Sequence, residues 1–186
     1  MMENVKPSSL NVSAEWAVIY VVTAIVITYV FQFLAVDQAS PAKYLSYVPF
    51  IAFLLLAQKE YKDQLGGFIT FGQGFMPGFI YSVIAGVILA VFMYIYLGIL
   101  SPQVWEQILA TTRDKMAENK NLSSEQLDQA MEITRKYGVL FTAIGTAIGT
   151  PIVGAIISLI GAAIFKKERS VLDIEQNSSS FTDPTV

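Results

Sequence analysis

The chain has 186 residues, 12 of them basic and 15 acidic, for a formal charge of −3, and it contains neither cysteine nor histidine. Those absences remove disulfides, thiolate nucleophiles, imidazole metal sites and Ser-His-Asp triads. The weak charge, with no basic stripe, excludes nucleic acid as an electrostatic partner. Only 15% of residues are charged, against ~25% in a soluble domain, and mean hydropathy is +0.52, a composition that points to a membrane protein.

After a polar lead over residues 1–14, Trp16 to Val36 runs without a charge and predicts a first span at about 16–36. A cleaved signal peptide is the competing reading. Its apolar core would be about 7–15 residues behind a clearly basic start, whereas Lys6 is the sole basic residue before this longer core. Trp16 and Tyr20 suit the headgroup level. Residues 37–43 form a polar turn with Pro41.

The second apolar run, about 41–57, holds about 17 residues, or roughly 26 Å of helix, which is the lower limit for spanning. Pro49 is expected to kink it, and a re-entrant hairpin is the alternative. Residues 58–70 carry Lys59, Glu60, Lys62 and Asp63 and are read as lying outside the hydrocarbon. Gly66 and Gly67 then break the segment, and Phe68, Ile69, Phe71 and Phe75 lead into the next span at the interface. A phosphate-binding loop fails here, because no Lys-Ser/Thr follows the glycines and no strand precedes them.

Phe71 to Leu100 organises the chain, and its part from Phe75 onward, without a charge, predicts the third span at about 75–100. Gly74, Gly78, Ser82, Gly86 and Ala90 recur every fourth residue and make one small-residue ridge along which another helix can come close. Ser101 as N-cap and Pro102 at the first helical position open a polar segment at about 102–136. Val104, Trp105, Ile108, Leu109 and Met116 share a face of an amphipathic helix ending near Asn119. A second helix starts with a Ser123/Gln126 capping box and a Leu122/Leu127 staple. Together they predict a helical hairpin in the water layer.

The last span, about 139–165, is again uncharged. Gly138, Thr142, Thr146, Thr150, Gly154, Ser158 and Ala162 stand at four-residue spacing, with Gly145-x-x-x-Gly149 beside them. Each step of four overshoots a turn by ~40°, so this ridge winds about the helix and follows a neighbour for two or three turns. The ridge of the third span is its natural partner, and Pro151 adds a kink. The polar remainder, 166–186, is expected to be a disordered tail.

The expected architecture is therefore all-α: one membrane domain over 1–165 with four transmembrane helices and an extramembrane hairpin between the third and fourth. Lys6, Lys59, Lys62, Lys166, Lys167 and Arg169 outnumber Lys43, Arg135 and Lys136 near the span ends, which favours cytoplasmic termini.

Phe71-Gly-Gln-Gly-Phe75, Tyr94-Ile-Tyr-Leu-Gly-Ile-Leu-Ser-Pro102 before a Trp/Glu-containing helix, and Ala162-Ala-Ile-Phe-Lys-Lys167 resemble the DUF4199 family of bacterial integral membrane proteins over nearly the whole chain. The resemblance implies four membrane helices in a bacterial cytoplasmic (inner) membrane. It transfers no catalytic residue, since the family carries no assigned activity.

No catalytic, cofactor-binding or metal-binding residue is nominated. The expected partners are the lipid bilayer and a second copy or another membrane protein packed on the two ridges, although the ridges also serve to close the chain's own bundle. A small transporter or channel component for a neutral solute is the alternative. The spans lack the intramembrane charge typical of coupled transport, but Gln32 and the threonines of the last span offer polar groups. A membrane-embedded enzyme lacks a paired polar constellation.

Overall fold

The computed structural model describes residues 7–36, 44–45, 47–118 and 123–168. Five α-helices follow one another: α1 Ser9–Phe33, α2 Tyr47–Gln64, α3 Phe71–Ile95, α4 Pro102–Ala117 and α5 Ser124–Phe165, with a π-helical turn, Tyr96–Leu100, closing α3. Among the described residues there is no strand, only an isolated antiparallel bridge between Ile69 and Lys167. Among the described residues three segments, Ser9–Phe33, Phe71–Leu100 and Ser124–Phe165, are long and apolar enough to cross a membrane. The 37–43 turn, the Leu122 half of the staple and the 169–186 part of the tail lie outside the described residues.

The helix ends follow from local chemistry. The Ser8 hydroxyl accepts from Asn11 N–H at the start of α1. At its end Val36 N–H donates to Phe31 O and Ala35 N–H to Gln32 O, the paired bonds of a Schellman cap. Ala35 takes the left-handed position of that cap, at φ 49°. The end of α2 repeats the pattern with the residues suited to it. Gly67 N–H donates to Lys62 O, Gly66 N–H to Asp63 O, and both glycines have positive φ. The Gly-Gly pair is a helix stop. α3 opens on a reciprocal box in which Thr70 N–H donates to Gln73 Oε1 and Gln73 N–H to Thr70 Oγ1.

Several expectations are corrected. α2 begins at Tyr47 and continues through Lys59, Glu60, Lys62 and Asp63 to Gln64, so the helix is displaced toward the charged segment relative to 41–57. Pro49 falls in its first turn, where an N–H has no intrahelical acceptor to lose, and so does not interrupt it. The hairpin's second helix and the last span, expected to be separate at about 102–136 and 139–165, are one: the helix opened by Ser123 and Gln126 is continuous with the last apolar stretch as the 42-residue α5. At α4, Pro102 occupies the first turn, but the Ser101 hydroxyl makes no capping bond to it. Tyr20, expected at the headgroup level, is buried within the protein. It is 8% exposed, packed among rings.

The chain falls into two compact units, one drawn from Met1–Ser82 with Gly154–Val186, the other from Val83–Val153. In the first, the core is aromatic. The Tyr20, Phe50 and Tyr81 rings meet with centroids 5.2, 5.5 and 5.9 Å apart, and the Tyr81 hydroxyl donates to Phe50 O at 3.1 Å, so a phenol is buried without an unsatisfied donor. Trp16 stacks on Phe53 and donates from Nε1 to Glu60 Oε2 at 2.6 Å. In the second unit Tyr96, Leu97, Val104, Trp105 and Leu109 form the core, flanked by Met93 and Met131. The exposed pairs Arg113–Asp128 and Arg135–Glu106, both 2.8 Å, link α4 to the first turns of α5.

Candidate helix-packing interface

In the first unit α3 and α5 approach along small residues. A Cβ built on Gly74 would lie 3.3 Å from Ala162 Cα, and one on Gly78 would lie 2.9 Å from Ser158 Cβ and from Leu54 Cδ2. One on Gly154 would fall inside van der Waals contact with Ser82 Cβ and Oγ. Each step of four forward on α3 is thus met by a step of four back on α5, an antiparallel meeting of two i±4 rows. Gly74, Gly78, Ser82, Gly154 and Ser158 are all buried.

This contact is bound by a polar knot. Gln58 is fully buried, and its Nε2 lies 2.8 Å from Gly74 O, 2.9 Å from Ser158 O and 3.0 Å from Ser158 Oγ. The Ser158 hydroxyl spends its proton on Phe75 O at 2.6 Å, so toward Gln58 it accepts. Three acceptors around one nitrogen fix which way the amide points. Gln58 Oε1 has no hydrogen-bond partner among the described residues. It occupies the place a Cβ on Gly161 would take, so the glycine Cα–H faces it as a weak donor. A second tie joins α1 to α3: the Ser13 hydroxyl, fully buried, lies 2.8 Å from Pro77 O and also contacts Ser9 O.

Residues 15–167 match the family described as "Protein of unknown function (DUF4199)". The chain belongs to the DUF4199 family. No curated protein and no solved structure matches it.

In the second unit of this DUF4199 protein, a Cβ on Gly86 would meet Pro151 Cδ at 3.0 Å, Thr150 Cβ at 3.1 Å and Ala147 O at 3.5 Å. Ala147 O is the carbonyl whose helical donor Pro151 removes, so Gly86 lies against a freed backbone acceptor. Ala90 is buried. Gly138 serves a different neighbour, since a Cβ there would run into the Trp105 ring at 2.5 Å. Thr146 turns its hydroxyl back to Thr142 O at 2.9 Å. Gly145 and Gly149 have no atom within 4 Å of the Cβ position, and around them Phe141, Ile144, Ile148 and Ile152 are exposed by 45–60%.

Gln58, Ser13, Gly161 and the Tyr20–Phe50–Tyr81 group are functional to this packing and were missed in the sequence. Gln58 had a signal. Phe50, Leu54, Ala57 and Gln58 recur at helical spacing, so the glutamine continues an apolar stripe although Lys59 and Glu60 follow it directly.

Proposed function

We propose that this DUF4199 protein is a non-enzymatic integral membrane protein that crosses the bilayer four times and works by helix association, pairing with a second copy of itself through the Gly145/Gly149 face of α5. The observation that carries this reading is the difference between glycines. Gly74, Gly78, Gly86, Gly138, Gly154 and Gly161 are each met by atoms of this chain, whereas Gly145 and Gly149 stand open among exposed isoleucines. A small-xxx-small stripe is self-complementary under two-fold symmetry, because each copy supplies both the gap and the backbone that fills it.

In this reading α2 is the fourth crossing, Lys59 to Asp63 reach headgroup level, and α4 with the first turns of α5 forms a hairpin in the water layer. The Trp16–Glu60, Lys62–Phe165 and Ile69–Lys167 contacts support one shared end for the start of α1, the α2–α3 turn and the end of α5, assigned here to the cytoplasmic side of a bacterial inner membrane.

The absence of native cysteine makes the test direct. Ile148→Cys is expected to form a disulfide-linked dimer on mild oxidation in membranes, and Val91→Cys, equally lipid-accessible at 57% exposure, is not. Adding Gly145→Leu is expected to abolish the Ile148→Cys cross-link. Equal cross-linking at the two positions, or persistence with Gly145→Leu, would defeat the proposal.

A further inference from the structure

At one end of the first unit the α2–α3 turn and the segment leaving α5 are joined by two backbone bonds, Ile69 N–H to Lys167 O at 2.8 Å and Lys167 N–H to Ile69 O at 3.0 Å. Beside this bridge opens a cleft of about 290 Å³ lined by Leu65, Phe68, Thr70, Gln73, Lys167 and Glu168. Its size falls at the low end of small-molecule sites, roughly 300–1,000 Å³, and suits a headgroup fragment more than a whole cofactor.

The lining is divided in character. Leu65 and Phe68 supply an apolar wall, while Thr70, Gln73 and Lys167 supply a polar rim. Lys167 is held by its backbone, and its Nζ stands 5.1 Å from the Phe68 ring centroid, an arrangement that keeps an ammonium near the cleft. The carboxylate in the wall, Glu168, is ion-paired to Lys166 at 3.2 Å, and among the described residues Lys167 itself has no ion pair. The first turn of α3, beginning at Phe71, brings the positive end of a helix dipole to the same rim.

The cleft also sits at a defined depth. α3, uncharged throughout, starts at Phe71 on its rim, and the charge-free stretch of α5 ends at Phe165, just before it. With those helices in a bilayer, the rim lies at the level of lipid phosphates and the wall at the first acyl carbons. Lys62, over the Phe165 ring at 5.9 Å, adds positive charge at this level. We infer that the cleft binds the phosphate of an anionic phospholipid headgroup drawn from the adjoining leaflet.

The test uses the full chain in mild detergent, titrated with short-chain phosphatidylglycerol, short-chain phosphatidylcholine and inorganic phosphate, with bound lipid read by native mass spectrometry. One basic residue near an anionic lipid contributes about fivefold in affinity. Phosphatidylglycerol is therefore expected to bind about fivefold more tightly than phosphatidylcholine, and Lys167→Gln to bring the two to parity. Lys167 enters the bridge only through its backbone, so this substitution leaves the bridge intact, and Lys167→Arg is expected to keep the preference. Lys59→Gln removes a lysine paired with Asp63 at 3.8 Å and is expected to change nothing. Parity in the unsubstituted chain, a preference that survives Lys167→Gln, loss in Lys167→Arg, or an equal loss in Lys59→Gln would overturn the inference. So would displacement of the lipid by inorganic phosphate at equal concentration, which would make the ligand a free anion.

Discussion

Replacing Gly154 by alanine tests the α3–α5 contact most sharply. The added methyl would collide with Ser82 Cβ and Oγ, while Phe50 Cζ at 3.5 Å would be an ordinary neighbour. Ser82 Cβ is fixed to its backbone and cannot swing aside, so the two helices must part by roughly 1.5 Å to reach normal carbon contact. Overpacking of this kind costs about 1–3 kcal/mol. Separation also stretches the Gln58 bonds to Ser158 one turn away, each worth about 0.6 kcal/mol in a membrane. Alanine returns up to about 1 kcal/mol of helix propensity. The net expectation is a loss of about 2 kcal/mol, or about 4–8 °C in thermal melting for a chain of this size. Melting in mild detergent, followed by circular dichroism, reads this against Gly72→Ala, whose Cβ meets nothing within 4 Å and which should not lose stability. Adding Ser82→Gly to Gly154→Ala removes the obstructing Cβ and is expected to raise melting above the single variant. Gly154→Ala melting together with Gly72→Ala would refute the reasoning.

Gln58→Leu fills similar volume but withdraws the donor from Gly74 O and Ser158 O; a loss of about 1 kcal/mol is expected by the same melting assay, and a gain would show the knot to be a burden. Trp105→Ala should cost about 3–5 kcal/mol, because the ring is 9% exposed and fills the core of the second unit; urea titration of intrinsic fluorescence from Trp16 and proteolysis between α4 and α5 would register it. Ala35→Gly relieves the left-handed strain at φ 49° and is expected to stabilise α1 by about 1 kcal/mol, measured as slower amide exchange at Leu34 and Val36.

Backbone spacing was the most legible part of the sequence. The four-residue recurrence of Gly74, Gly78, Ser82 and Gly86 depends only on the helical repeat, and small residues leave little else to guess. Charge concealed one side chain: Lys59 and Glu60 hid the burial of Gln58, since a helix can turn one side to water and the next residue inward. Proline was overread as a kink at Pro49, because its cost depends on whether the position has a bond to lose. Gly161, one step ahead of Ala162, fell outside a strict fourfold count although the Gln58 carbonyl oxygen occupies the space its missing side chain leaves. The Tyr20–Phe50–Tyr81 group joins three helices, and nothing local in any of them announces such a meeting.

The first unit takes its parts from both arms of the chain, whereas the second is one uninterrupted stretch. During synthesis the ribosome therefore completes residues 83–153 before it has made Ser158, Ala162 or Lys167. Until those emerge, Gln58, Gly74 and Gly78 lack their partners on the closing arm. A nascent chain arrested before Gly154 would leave the Gln58 amide and the small-residue groove of α3 uncovered.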